Sequence, residues 1–164
     1  MKQRKILLMG VSGAGKSLIG QKVANNLGIP FFDGDDYHPK ENVKKMRQGT
    51  PLNDEDRQGW LKTLNQLFIE KQSLVLACSA LKQTYRNMLA ENNEDMVVVY
   101  LKGDFDTIWS RHKKRDDHYF TGERMLRSQF ETLEEPTRDE AIYIDISKSV
   151  DDVVAQVVAA LNVE

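Results

Sequence analysis

The residues Gly10-Val11-Ser12-Gly13-Ala14-Gly15-Lys16-Ser17 decide the fold, because they match the pattern G-x-x-x-x-G-K-[ST]. An apolar run at residues 5–9 precedes the motif, and apolar residues at helical spacing follow it as far as Gly28. Glycines let such a loop curl so that its N–H groups point at phosphate oxygens, and the next helix adds its positive N-terminus. A glycine-rich turn that merely precedes a lysine would not need this strand–loop–helix context. We therefore predict that all eight residues bind a nucleoside triphosphate, with Lys16 at the β- and γ-phosphates and the Ser17 hydroxyl on Mg²⁺.

Segments typical of strands and helices alternate along the rest of the chain. Apolar runs of the kind found in strands buried on both faces of a parallel sheet occur at residues 31–32, 74–77, 96–101 and 142–146. Apolar residues at helical spacing form three faces: Leu18, Ile19, Val23 and Leu27; Trp60, Leu61, Leu64, Leu67 and Phe68; and Val150, Val153, Val154, Val157, Val158 and Leu161. Ser149 is the expected N-cap of the last helix. This alternation predicts an α/β fold with a parallel central sheet, in one domain over residues 1–164.

The composition argues against several classes of protein. The 164 residues include 23 Lys+Arg and 25 Asp+Glu, a formal net charge of −2. Nucleic acid is therefore not the expected partner, because neutralising its phosphates needs a basic excess. No stretch approaches the roughly 18 consecutive apolar residues of a membrane span. Cys78 is the single cysteine, so no disulfide can form within the chain and the reducing cytoplasm is the expected compartment. We expect Cys78 to be a core residue rather than a nucleophile.

Acidic residues follow the second predicted strand, in the sequence Asp33-Gly34-Asp35-Asp36. Asp33 and Asp35 lie one strand period apart and face the same side at the carboxyl end of the strand. One of them can hold Mg²⁺ through water, while the other accepts a hydrogen bond from an attacking hydroxyl. We assign Asp33 to the metal with Ser17 and Asp35 to the hydroxyl, and the residues alone leave the order of these roles open. The alternative is an acidic turn in which Asp35 or Asp36 only caps a helix.

Other classes of nucleotide-binding protein fit the sequence less well. The chain has no Asn-Lys-x-Asp motif for reading guanine, and Asp56-Arg57-Gln58-Gly59 follows a polar loop rather than a buried strand, so we interpret its D-x-x-G pattern as coincidence. The apolar runs at residues 74–77 and 96–101 lack the terminal aspartate expected of a motor or switch ATPase. A non-catalytic binding module would be expected to lack Lys16, Asp35 or a basic lid. These comparisons favour a small kinase.

Basic residues mark a possible site for an anionic substrate. Lys82 and Arg86 lie at i, i+4 after the third predicted strand, where one helix face would carry both cations close to the ligand-binding edge of the sheet. The alternative is a solvated helix face. Residues 37–56 are polar, and Arg57 follows them in a substrate-side helical segment, about residues 37–65, that we expect to hold the acceptor substrate.

A dense run of charge at residues 111–124 predicts a mobile lid. Arg111 and Arg115 share a helix face. A lid that closes arginines over a transferring phosphate stabilises the spread negative charge and excludes water. The alternative is a merely solvated basic stretch. We predict that Arg111 and Arg115 contribute to catalysis from this lid.

Taken together, these segments resemble the small gluconate kinases, relatives of shikimate and adenylate kinases. Besides residues 10–17, the resemblance is carried by Asp33-Gly34-Asp35 with His38-Pro39, Pro51-Leu52-Asn53-Asp54 with Arg57 and Trp60-Leu61, Cys78-Ser79-Ala80-Leu81-Lys82 with Tyr85-Arg86, Leu101-Lys102-Gly103, and Ser128-Gln129-Phe130-Glu131-Thr132-Leu133-Glu134-Glu135-Pro136. The blocks around Cys78 and Gln129 are the most particular to that family. The lid departs from the family pattern, because Asp117 precedes His118 where a glycine is usual.

The resemblance implies a three-layer fold like that of nucleoside-monophosphate kinases, and phosphorylation of D-gluconate to 6-phosphogluconate with ATP and Mg²⁺. It implies that Lys16 and Ser17 bind ATP–Mg²⁺ and that Asp35 meets the acceptor hydroxyl. The carboxylate of a sugar acid suits the cations named above, so the expected substrate-binding residues are Asp35, His38, Arg57, Lys82 and Arg86. It also implies a cytoplasmic homodimer with an adenine pocket near residues 147–149. A shikimate kinase is the nearest rival, but it usually has a glycine-rich turn where this chain has Ser79-Ala80-Leu81.

Overall fold

The computed structural model describes residues 4–11, 13–112 and 123–162. Within these residues five strands form one sheet, in which every neighbouring pair is parallel, in the order β2-β3-β1-β4-β5. The strands are β1 (Lys5–Met9), β2 (Phe31–Asp33), β3 (Leu74–Ala77), β4 (Met96–Lys102) and β5 (Ala141–Asp145). Because all five run the same way, their carboxyl ends meet at one edge of the sheet. The predicted α/β fold with a parallel sheet is confirmed.

Helices connect the strands and cover both faces of the sheet. They are α1 (Lys16–Leu27), α2 (Lys40–Arg47), α3 (Asp54–Glu70), α4 (Gln83–Ala90), α5 (Phe105–His112), α6 (Glu123–Thr132) and α7 (Val150–Leu161). A 3₁₀ turn over Gly34–Tyr37 follows β2. None of the helices that the structure describes has both the length and the apolar composition that crossing a membrane requires.

The side chains of the central strand β1 alternate between two cores. Ile6 and Leu8 pack with residues of α1, α5, α6 and α7, whereas Leu7 and Met9 pack with residues of α3 and α4. All four side chains are at most 1% exposed. A strand buried on both faces needs no polar residues, which explains the unbroken apolar run in the sequence. Helices, sheet and helices therefore form the three layers that the resemblance implied.

Short polar signals set the helix ends. The Ser149 hydroxyl accepts a hydrogen bond from the N–H of Asp152 at the start of α7, which confirms the predicted N-cap. Asn53 and Asp56 form a reciprocal capping box at the start of α3. Asp56 thus has a structural role in a helix cap, in agreement with the interpretation of its D-x-x-G pattern as coincidence.

Two details of the predicted helices are wrong. Leu18 is 45% exposed, because α1 turns Ile19 and Val23 into the core and consecutive helical residues lie about 100° apart. Lys82 is the N-cap of α4 rather than a residue of its first turn, and Arg86 is buried. Lys82 and Arg86 therefore do not form one exposed cationic face.

Gly34 allows β2 to end directly against β3. A methyl group at this position would lie 2.7 Å from the Ala77 carbonyl oxygen, a backbone atom that cannot move aside cheaply. The Gly34 carbonyl accepts a hydrogen bond of 2.8 Å from the buried indole N–H of Trp60. Gly34 thus brings the acidic residues on either side of it close to the end of β3.

Replacing Gly34 by alanine should lower the free energy of unfolding by about 1–3 kcal/mol, the usual range for overpacking a core. Gly59→Ala is the matched control, because a methyl group there meets nothing within 4 Å on an exposed face of α3. The control should gain about 0.5–1 kcal/mol from helix propensity. Urea unfolding measures both, and two variants of equal stability would contradict the close packing at Gly34.

Candidate active site

The loop between β1 and α1 is closed by hydrogen bonds to its own backbone, and it lies in the predicted strand–loop–helix context. Gly13 and Gly15 have φ angles of +86° and +91°, in the left-handed region that favours glycine. The Val11 carbonyl accepts hydrogen bonds from the N–H of Ala14 at 3.2 Å and from Lys16 Nζ at 3.1 Å. The lysine ammonium therefore lies back across the loop, close to the amino end of α1. This is an arrangement suited to a polyphosphate.

Ser17 and Asp33 place oxygen atoms together beside this loop. The Ser17 hydroxyl donates a hydrogen bond of 2.6 Å to Asp33 Oδ2, and Asp33 Oδ1 accepts one of 3.0 Å from the N–H of Asp35. A hydroxyl and a carboxylate are suitable Mg²⁺ ligands, and this ion is often held by one or two protein groups with substrate phosphates and water. The described residues contain no cluster of three or more His, Cys, Asp or Glu that could hold a metal by itself. The pair thus fits a metal shared with a nucleotide.

Asp35 lies between the phosphate loop and a cavity at the carboxyl edge of the sheet. Desolvation by the surrounding loops raises the pKa of Asp35, Lys16 opposes this shift, and the carboxylates of Asp33 and Asp36 add to it. The Asp35 side chain is still 56% exposed, which limits the desolvation. Asp35 therefore remains accessible to a hydroxyl group.

We call this cavity the Asp35 cavity. Residues of the 3₁₀ turn after β2, of α2, α3, α4 and α6 and of the adjoining loops surround it. Its lining includes Asp35, His38, Arg57, Trp60, Ala80, Tyr85 and Gln129. The structure thus brings together three of the predicted substrate-binding residues, Asp35, His38 and Arg57. It also unites three sequence blocks that are far apart in the chain.

Arg57 is the cation of the Asp35 cavity. Its Nη1 donates hydrogen bonds to the Leu52 carbonyl at 2.6 Å and to the Tyr85 hydroxyl at 3.1 Å. Both partners are neutral, and among the ion pairs of the described residues none involves Arg57. A positive charge held by neutral groups at a cavity wall is suited to an anionic ligand.

Lys82, in contrast, is neutralised by a carboxylate from α3. Its ammonium lies 2.9 Å from Asp54 Oδ1, and the Tyr85 hydroxyl donates to the same carboxylate. These two hydrogen bonds hold the pKa of Asp54 below its usual value, with Tyr85 as the larger cause. Tyr85 therefore bridges the Lys82–Asp54 pair and the Arg57 guanidinium, and the charge left over for a ligand is that of Arg57.

His38 packs flat against Trp60 at one wall of the Asp35 cavity. The two ring centroids are 4.0 Å apart with an angle of 18° between the planes, and the His38 side chain is only 3% exposed. Burial, followed by the positive charge of Arg57, lowers the pKa of His38 to about 4. The ring is therefore neutral at physiological pH. Its Nε2 lies 3.8 Å from Asp35 Oδ1.

The structure does not bring Arg86 into the Asp35 cavity. Its guanidinium, 2% exposed, donates hydrogen bonds of 2.8 Å to the carbonyls of Ala80 and Glu134, and its Nε lies 3.4 Å from a Glu140 carboxylate oxygen. We call this arrangement the Arg86 clasp. It corrects the expectation of a substrate-facing cation, because the charge is used to hold the segment after α6 against the amino end of α4.

The Arg86 clasp also supports a strained turn. Ala80 has a φ angle of +48°, which a residue with a side chain rarely adopts. The Leu81 carbonyl next to it accepts a hydrogen bond of 2.7 Å from the N–H of Glu134. Ala80 and Leu81 both line the Asp35 cavity, so these contacts shape its wall.

The predicted lid falls largely outside the described residues, as do Ser12 of the phosphate loop and Arg115. Arg111, at the end of α5, points to the loop after β5, where its Nη2 donates to the Lys148 carbonyl at 3.5 Å. This loop includes the segment where the resemblance implied an adenine pocket. In the structure, Arg111 therefore contacts the loop that follows β5.

Sequence reasoning missed the roles of three side chains around the Asp35 cavity. Trp60 was assigned to an apolar helix face, yet it also stacks on His38. Tyr85 and Asn42 bind site residues through polar groups, Tyr85 to Arg57 and Asn42 to His38. The spacing of His38 and Asn42, i and i+4 around the start of α2, was the one local signal for this pair.

Cys78 is a core residue, as expected. Its side chain is buried at the end of β3, and burial raises the pKa of the thiol to about 12. A thiol of this kind is not a nucleophile at neutral pH.

The site and the fold match known proteins. The family model for shikimate kinase covers residues 12–162. A crystal structure of shikimate kinase from Aquifex aeolicus has a TM-score of 0.68 at 17% identity, covering 96% of this chain and 95% of that one, which shows the shared fold alone. Because this family model spans most of the chain, the chain is a phosphate-loop kinase of the shikimate kinase family.

Closer relatives specify the family. The thermoresistant gluconokinase of Escherichia coli K12 is 45% identical over 162 residues, which are 95% of this chain and 92% of that protein. A crystal structure of a gluconokinase from Sinorhizobium meliloti has a TM-score of 0.91 at 36% identity, covering 97% of this chain and 91% of that one. The chain belongs to the gluconokinases, within the shikimate kinase family.

The Arg86 clasp predicts a large loss of stability on substitution. Arg86→Met should lower the free energy of unfolding by about 3 kcal/mol, because it leaves Glu140 and two backbone carbonyls without their buried partner. Lys22→Met is the control, since Lys22 lies 3.8 Å from Asp151 in an exposed ion pair and should lose less than about 0.5 kcal/mol. Urea unfolding compares them; a stability of Arg86→Met close to that of the control would refute the clasp.

Proposed function

We propose that the protein transfers the γ-phosphoryl group of ATP to the 6-hydroxyl of D-gluconate, giving 6-phosphogluconate and ADP. The observation that carries this proposal is one cavity, beside the phosphate loop, lined by a carboxylate, Asp35, and by a cation, Arg57, that forms no ion pair with a carboxylate of residues 4–11, 13–112 or 123–162. A sugar acid offers a hydroxyl to Asp35 and a carboxylate to Arg57. The gluconokinases that match most of this chain support the same substrate.

The nucleotide side of the site binds and orients the phosphates. Backbone N–H groups of residues 10, 11 and 13–17 and the amino end of α1 would surround the β- and γ-phosphates, and Lys16 would add a positive charge there. Ser17 and Asp33 would hold Mg²⁺, which when bound neutralises charge on the phosphates. Arg111 approaches from α5, and we propose that it acts with Arg115 to shield the transferring phosphate.

The acceptor side orients the hydroxyl. Arg57 binds the gluconate carboxylate at one end of the Asp35 cavity, which fixes the position of the sugar chain. Asp35 accepts the hydrogen bond of the 6-hydroxyl and takes its proton as the new oxygen–phosphorus bond forms and the bond to ADP breaks. Positioning dominates phosphoryl transfer, so an ordinary carboxylate is sufficient.

Two further properties rest on the resemblance to gluconate kinases. We propose that the enzyme works in the cytoplasm, where its single buried thiol needs no oxidising environment. We also propose that it is a homodimer.

The proposed reaction predicts ADP release that depends on gluconate. Purified protein with Mg²⁺-ATP should release ADP with gluconate, and should not do so with shikimate, AMP or no acceptor. Asp35→Asn should lose at least about 10²-fold in kcat, because the hydroxyl loses its proton acceptor, while ATP binding measured by calorimetry stays within about threefold.

Lys16→Ala is the control for the nucleotide side and should weaken ATP binding as well as turnover. Turnover with a different acceptor would support a kinase activity but reject gluconate as the substrate. Full activity of Asp35→Asn would reject the role of Asp35.

Substitutions of Arg57 and of Lys82 test which of the two cations binds the substrate. Arg57→Met should raise the KM for gluconate by about 10–100-fold, the usual cost of losing a hydrogen bond to a charged group, with the KM for ATP changed less than about threefold. Lys82→Met should change both constants by less than about threefold, because Asp54 already neutralises Lys82. Steady-state kinetics with each substrate varied in turn decides the point. Equal effects of the two substitutions on gluconate would contradict the assignment.

A further inference from the structure

Asn42 is a buried amide that joins α2 to α3 and to the Asp35 cavity. It is 3% exposed, and its Nδ2 donates a hydrogen bond of 2.9 Å to the Asp56 carbonyl. A carbonyl oxygen can only accept, so this contact fixes which end of the amide is the nitrogen. The same Nδ2 lies 3.2 Å from His38 Nδ1. The amide therefore offers its second N–H to that ring nitrogen, and Nδ1 has to be the acceptor.

A neutral imidazole with an acceptor at Nδ1 carries its proton at Nε2. The His38 ring is nearly inaccessible to water, stacks on Trp60 and lies near the positive charge of Arg57. Burial and the positive charge of Arg57 disfavour a second proton on the ring, and together they outweigh the opposing charge of Asp33. The Nε2 atom is the polar atom directed to the catalytic side, 3.8 Å from Asp35 Oδ1. This separation is too long for a direct hydrogen bond, and it leaves both groups able to contact the same ligand atom.

We propose that Asn42 is a positioning residue that holds His38 as the Nε2–H tautomer, so that a neutral N–H donor and the Asp35 carboxylate face one acceptor hydroxyl. A hydroxyl group needs both partners, one to take its hydrogen bond and one to donate to its oxygen. Asp35 accepts the hydrogen bond of the hydroxyl group, and His38 donates one to its oxygen. This inference rests on the proposed function, because it takes the acceptor to be a polyhydroxy acid.

The arrangement also explains selectivity for a hydroxyl. A ligand without an oxygen at this place would leave the His38 N–H unpaired in a buried site, which costs binding free energy. If the tautomer were free to change, a fraction of the enzyme molecules would present a lone pair instead of a donor. The Asn42 amide prevents this by occupying Nδ1.

The tautomer can be observed directly in the intact enzyme. Nitrogen-15 NMR of the imidazole rings at pH 7, without substrate, should show His38 with a protonated Nε2 and an unprotonated Nδ1. The chain has three histidines, and His38→Gln identifies the signal by its loss. A His38 ring protonated at Nδ1, or at both nitrogens, would overturn the proposal. This measurement does not depend on any substrate, so it separates a failure here from a failure of the proposed function.

A double-mutant cycle tests whether Asn42 acts through His38. Asn42→Leu should raise the KM for gluconate by about tenfold, with the KM for ATP unchanged within about twofold, and the nitrogen-15 signals should move to the average of the two tautomers. In the His38→Gln background, Asn42→Leu should change the KM for gluconate by less than about twofold, since no tautomer remains to be fixed. Equal effects in both backgrounds would show a purely structural role and reject the proposal.

Asn65→Leu is the matched control. The Asn65 amide also donates two hydrogen bonds, both of 2.9 Å to backbone carbonyls, those of Leu89 and Glu91, away from the Asp35 cavity. This variant should lose stability while the His38 signals and the KM for gluconate stay as in the parent protein. If Asn42→Leu does not fold, the NMR measurement on the parent protein still decides the proposal.

Discussion

The hydrogen bond from the Trp60 indole to the Gly34 carbonyl joins the two halves of the site inside the core. Gly34 separates Asp33, on the nucleotide side, from Asp35, which lines the acceptor side. Trp60 also carries the His38 ring on its face. A buried indole N–H and a buried carbonyl both need partners, so the two elements cannot slide without leaving two polar groups unpaired. Core packing, rather than the surface loops, therefore sets the distance between phosphate and acceptor.

Three cations that look alike in the sequence have three different roles, and charge balance decides which. Lys82 is neutralised by Asp54, and Arg86 is buried in a clasp with Glu140 and backbone carbonyls. Arg57 is held, among the residues that the structure describes, by the neutral Leu52 carbonyl and Tyr85 hydroxyl. A cation that already has a carboxylate gains little from a second one, whereas Arg57 can bind a ligand carboxylate without breaking an ion pair. In the proposed function, Arg57 is therefore the point at which the cavity selects an anionic substrate.

The sequence predicted features that depend on neighbouring residues. The phosphate loop, the apolar face of α3 and the Ser149 cap all follow local spacing or composition, and the structure confirms them. The role of Arg86 could not be predicted in this way, because two of its partners, Glu134 and Glu140, lie about 50 residues further along the chain. The spacing of residues along the sequence predicts which of them share a helix face, but it does not predict which distant carboxylate will contact that face. Arg115 and most of the lid stay predictions, since they lie outside the described residues.

The turn at Ala80 shows how a common fold is made specific. The fold itself is shared with shikimate kinase at low sequence identity, so selectivity for the acceptor has to come from loops such as this one. Ala80 keeps a φ angle of +48° at a cost of about 1–2 kcal/mol, and the guanidinium of Arg86 holds its carbonyl in place. A glycine would relieve the strain but would leave the turn several conformations. Because the turn forms part of the acceptor wall, a single strained conformation held by a buried arginine keeps the cavity in one shape before the substrate arrives.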